Sequence, residues 1–72
     1  MDDLKQAAGR RLKQSRQDKG LTQKEVAALL YMTQQQYSRF ENGVFELNYS
    51  QLIEICRLFD VSADYLLGLD VF

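Results

Sequence analysis

Gln34, Gln35, Ser38 and Arg39 are the residues in this chain whose types and spacing suit a defined chemistry. At about 100° per residue on a helix, Gln35, Ser38 and Arg39 fall on one side, with Gln34 at its edge. Tyr37 and Phe40 fall on the other side, with Gln36 beside them. The outer side therefore carries amide, hydroxyl and guanidinium groups, with no carboxylate and no apolar side chain. A glutamine amide presents a donor and an acceptor at the spacing of N6 and N7 of adenine in the major groove, and an arginine fork matches O6 and N7 of guanine. On the wheel alone these residues equally suit an ordinary solvated helix face, and the elements around them decide between the two.

Those elements are all helical. The 3.6-residue period recurs along the chain and strict alternation does not occur, which predicts an all-α fold. A first helix is expected over about residues 3–18, with Leu4, Ala8 and Leu12 as its apolar stripe, Asp2 and Asp3 at the positive end of its dipole, and Gly20 as its stop. A second is expected over about 23–30, capped by Thr22 with Glu25 three residues on, and with Val26, Ala27, Leu29 and Leu30 as its apolar side. The third, over about 34–41, repeats the device with Thr33 and Gln36 and ends at Asn42-Gly43. The fourth, over about 49–59, is capped by Asn48 with Gln51, and Leu52, Ile55, Cys56 and Phe59 form its core stripe. Cys56 is accordingly expected to be a buried, inert thiol. A short fifth helix over about 63–67 follows Ser62, and the tail from Gly68 to Phe72 is apolar. Only Tyr31 and Met32 separate Leu30 from Thr33, and so short a turn holds two helices at a steep angle, the helix-turn-helix geometry.

Composition narrows the function. The 72 residues form one small domain, of a size that buries only about 60% of the surface its unfolded chain exposes. With no histidine and a single cysteine there is no internal disulfide, no usual zinc-ligand set and no histidine-containing catalytic triad. The carboxylates are scattered over caps and surface positions. No apolar run approaches the roughly 20 residues that span a bilayer, and Met1-Asp2-Asp3 does not open a signal peptide. A binding module is expected, not an enzyme, with no metal, no cofactor and no membrane partner. The net charge of −1 divides unevenly: residues 1–40 carry +4 and residues 41–72 carry −5. A basic half is a cue for a polyanionic partner, although a lysine-rich solvated face gives the same count.

The runs Leu21-Thr22-Gln23-Lys24-Glu25-Val26-Ala27 and Thr33-Gln34-Gln35-Gln36-Tyr37-Ser38-Arg39-Phe40-Glu41-Asn42-Gly43 resemble the Cro/repressor-type (Xre-like) helix-turn-helix family, as does Phe59-Asp60-Val61-Ser62-Ala63-Asp64-Tyr65-Leu66-Leu67-Gly68. The resemblance covers about residues 10–67 and implies a compact five-helix, lambda-repressor-like DNA-binding domain with helices 2 and 3 as the motif. It implies a cytoplasmic regulator of bacterial or phage origin, a repressor that binds a near-palindromic operator in double-stranded DNA as a homodimer. In that frame Gln34, Gln35 and Arg39 match base-reading positions. Gln23 matches a phosphate anchor at a helix N-terminus, where free N–H groups favour an anion. Ser38 and Asn42 match backbone-contacting positions, and charge alone adds Lys24, Lys13 and Arg10. Arg16 and Glu41 match a structural ion pair that joins helix 1 to the end of helix 3.

The sequence departs from the family at two places. Tyr31 stands where the turn usually carries glycine, which implies either a locally different turn or an added contact by the tyrosine. Val44-Phe45-Glu46-Leu47 replaces a loop that usually holds a proline and basic residues, which implies weaker non-specific binding. Leu66, Leu67, Leu69, Val71 and Phe72 offer an apolar surface for a second chain, or fold back to complete the core. An alternative of a different class follows from the acidic C-terminal half and this tail: an antitoxin-like module that binds another protein, with DNA binding secondary.

Overall fold

The computed structural model describes residues 3–69. Among them the helices are α1 (Leu4–Asp18), α2 (Gln23–Leu29), α3 (Gln34–Glu41), α4 (Tyr49–Phe59) and α5 (Ala63–Leu67), with no strand. Each start is fixed by a side chain that satisfies backbone donors otherwise left open at a helix N-terminus. Asp3 accepts from the Gln6 N–H at 2.9 Å, and Ser62 accepts from the Tyr65 N–H at 3.0 Å. Thr22 with Glu25, Thr33 with Gln36 and Asn48 with Gln51 each form a reciprocal capping box.

The helix ends share one device. After α1, α2 and α3 the chain turns into the left-handed region at Gly20, Tyr31 and Gly43, and the next N–H reaches back to the carbonyl of Arg16, Ala27 and Arg39. Tyr31 therefore keeps the conformation of the usual glycine, at φ 56°, and its side chain is 96% exposed. The turn does not differ locally. An L-residue with a Cβ held there costs about 1–2 kcal/mol, which glycine avoids at some cost in unfolded-state entropy. Tyr31→Gly is expected to raise stability by up to about 1 kcal/mol, read as a higher denaturant midpoint at unchanged slope. A lower midpoint would mean that the tyrosine ring holds the turn.

The core consists of Leu12, Val26, Ala27, Tyr37, Phe40, Ile55, Phe59 and Leu66, so each helix contributes. Two apolar assignments from the sequence are corrected. Leu4 and Leu29 are about half exposed, at 50% and 53%. The buried side of α1 runs instead through Gly9, Leu12 and Ser15, because α1 lies against the end of α3 at Gly9. Leu66, offered by the sequence either to a second chain or to the core, is fully buried in the core; α5 packs on α1 and α4 and turns this side chain inward. Leu67 is half-buried and Leu69 exposed, while Val71 and Phe72 lie outside the described residues. Cys56 is half-buried among core neighbours, and burial pushes its thiol up, away from the reactive thiolate.

Candidate nucleic-acid interface

Two capping boxes set the site. They start α2 at Gln23 and α3 at Gln34, and α3 packs against both α2 and α1. The result is a single open depression lined by Gln23, Gln34, Gln35, Ser38 and Arg39. These are the three expected base-reading residues together with two of the expected backbone contacts. Gln34, Gln35 and Arg39 are exposed; Gln23 and Ser38 are half-buried at the floor. Tyr37, Phe40 and Glu41 form the buried side of the same helix.

Lys24, Asn42, Lys13 and Arg10 are all exposed but do not line the depression. Asn42 caps the C-terminus of α3, and its amide donates to Ser38 Oγ at 3.3 Å. Arg10 and Lys13 lie on α1. No helix among the described residues is long and apolar enough to cross a membrane, and no group of His, Cys, Asp or Glu among them could hold a metal ion.

Beneath the depression lies a buried polar cluster. Arg16 Nε donates to Glu41 Oε2 at 2.6 Å and its Nη2 to Oε1 at 3.2 Å, while its Nη1 donates to the Leu21 carbonyl at 2.9 Å. The Glu41 side chain is 1% exposed and that of Arg16 12%. Burial pushes the Glu41 carboxyl up, but the Arg16 guanidinium, the neighbouring Tyr37 and the Gln23 amide together outweigh it and hold it below the usual range. Burial also pushes the Tyr37 phenol up, and the adjacent Glu41 charge pushes the same way. The Tyr37 hydroxyl lies beside this cluster but makes no hydrogen bond to the described residues.

Two links here were missed by sequence reasoning. Gln23 Nε2 donates to Glu41 Oε1 at 3.0 Å, so the expected phosphate anchor is itself tied to the ion pair. One amide N–H is thereby committed inward, and the other N–H and the carbonyl oxygen remain as bonding capacity at the surface. The guanidinium of Arg39 lies over the Phe45 ring, 5.6 Å from its centroid. Neither link has a local signal, since each joins residues brought together only by folding or by an irregular loop.

A family model described as helix-turn-helix matches residues 12–66, a span that runs from α1 through α5. The chain belongs to the helix-turn-helix family. This is the family that the motifs around α2 and α3 resemble. The helix-turn-helix chain is 40% identical over 62 residues to the HTH-type transcriptional regulator ImmR of Bacillus subtilis, covering 86% of this chain and 49% of that protein. It is 45% identical over 56 residues to the uncharacterized HTH-type transcriptional regulator YqaE of the same organism, covering 78% and 48%. It is 37% identical over 59 residues to the SPbeta prophage-derived regulator YonR, also of Bacillus subtilis, covering 82% and 55%. The chain spans about half the length of the curated relatives it matches.

Proposed function

We propose that this helix-turn-helix chain is a sequence-specific double-stranded-DNA-binding regulator of transcription, and that α3 enters the major groove. One observation carries the reading: α3 turns an amide, hydroxyl and guanidinium face outward, and Gln23 at the start of α2 lies at its edge. Gln34 and Gln35 occupy the first turn of α3, the part of a recognition helix nearest the base edges. The basic N-terminal half supports phosphate contacts by Lys24, Lys13 and Arg10, and Ser38 and Asn42 would meet the backbone further along. The relatives' names as transcriptional regulators point the same way. The chain would act as a repressor on a near-palindromic operator, as a homodimer with half-sites about 34 Å apart, one helical turn. Such a role belongs in the compartment that holds the DNA, the bacterial cytoplasm.

Selection of bound duplexes from a random pool, followed by titration at two salt concentrations, tests the reading. Gln34→Ala and Gln35→Ala are each expected to cost about 1–3 kcal/mol at a single base position. Lys24→Ala is expected to weaken all sequences alike and to lower the salt slope by about one unit. If the glutamine variants also weaken all sequences alike, α3 does not read bases. A second reading, a protein-interaction module with an acidic face, draws on the apolar groove lined by Leu4, Phe45, Leu47, Leu52 and Leu67 and on exposed Leu69. Absence of duplex binding even at low salt would favour it.

A further inference from the structure

Phe45 connects the outer face of α3 to the core. The loop that carries it folds back on the last turn of that helix: the N–H groups of Val44 and Phe45 both point to the Arg39 carbonyl, at 2.9 and 3.5 Å. Its ring meets Phe40 edge-on, with centroids 6.4 Å apart and planes at 64°. Phe40 is a core residue, so the Phe45 ring is held from within although it is about half exposed. The same ring lies beneath the Arg39 guanidinium. No carboxylate among the described residues pairs with Arg39.

A cation–π contact of this kind ties the guanidinium to the ring without spending it on a carboxylate. The attraction comes from the face of the aromatic ring, whereas hydrogen bonds to O6 and N7 of guanine use guanidinium N–H groups, of which arginine has five. An arginine without such support samples many rotamers and loses that freedom when it binds. We propose that Phe45 is a positioning residue for Arg39, and that its ring sets how strictly the chain distinguishes guanine at the base pair Arg39 reads. The proposal rests on the reading of α3 as the base-reading helix. An apolar residue in a loop otherwise expected to be basic then has a role: it gives up a phosphate contact and supports a base contact.

The test measures affinity for the selected duplex and for its single-base-pair variants, with Arg39→Ala used to identify the base pair that Arg39 reads. Phe45→Leu is expected to lower discrimination at that base pair about two- to five-fold, and to leave discrimination at the Gln34 base pair and the salt slope unchanged. Phe45→Tyr keeps the ring and is expected to restore the wild-type values. In the Arg39→Ala background, Phe45→Leu should change discrimination no further. Phe45→Met serves if the leucine variant fails to fold. A loss spread evenly over all base pairs, a loss that persists without Arg39, or no rescue by tyrosine overturns the proposal. If Gln34→Ala also shows no position-specific loss, the base-reading role of α3 falls and this inference falls with it.

Discussion

Replacing Glu41 by alanine is expected to destabilise the fold by about 3–5 kcal/mol. The carboxylate is buried and accepts from Arg16 through two nitrogens and from Gln23. Its removal leaves a nearly buried guanidinium whose Nη1 still donates to the Leu21 carbonyl but whose charge has no counterpart, and an uncompensated buried charge is what makes such a loss large. A chain of 72 residues has a total stability of roughly 4–11 kcal/mol at typical per-residue values, so the loss is a large fraction of the whole and at the low end of that range unfolds the variant. Chemical denaturation measures this, and a loss below about 1 kcal/mol would put the pair in the class of weak surface bridges. Replacing both partners by apolar residues, Arg16→Met with Glu41→Leu, should recover much of the loss, because no charge is then left unpaired.

The same carboxylate sets the acid limb. Its pKa is held below the ordinary value in the folded chain, so the unfolded chain binds the proton more readily. The stabilisation is fully present above the unfolded value, about 4.5, and disappears as pH falls through the lower folded value. Glu41→Gln should flatten this part of the stability-against-pH curve. Arg16, with its pKa raised, stays charged over the same range and contributes nothing to the slope.

Gly9→Ala is expected to be destabilising, by about 1–3 kcal/mol. In an exposed helix interior the change would instead gain close to 1 kcal/mol from helix propensity, so the sign is decisive. A Cβ on Gly9 would sit 2.4 Å from the Glu41 carbonyl oxygen and 2.6 Å from that of Phe40. Both are backbone atoms and cannot rotate away, so α1 must move off the end of α3. The same seam is tight at Gly43, where a Cβ would meet Gln6 at 2.7 Å. Displacement of α1 would also stretch the Arg16–Glu41 pair, which sits one turn or two further along. A thermal melt that shows a gain would mean that the two helices separate at little cost.

Much of this was legible in the sequence because its determinants are local. Thr22, Thr33, Asn48 and Ser62 each cap a helix from within three residues, so the helix starts follow from the side chains alone. The outward face of α3 follows from its period. Gly9 was not legible: it sits mid-helix, where the local preference is against glycine, and the reason for it is a carbonyl 32 positions away in sequence at Glu41. Leu4 and Leu29 were assigned to the wrong environments for a related reason. Periodicity identifies an apolar stripe but not which part of it another helix will cover.

The sequence by itself determined the number, order and capping of the helices, the short turn between α2 and α3, and which α3 side chains face outward. Those properties depend on contacts within a few residues. Tertiary structure alone decided that Gln23 shares Glu41 with Arg16, that Tyr31 holds a glycine's backbone conformation, that Phe45 lies under Arg39, and that Leu66 is core. The first, third and fourth need helices or loops brought together by packing. The second needs a fold able to hold an unfavourable dihedral, since a tyrosine left to its local preference avoids the left-handed region.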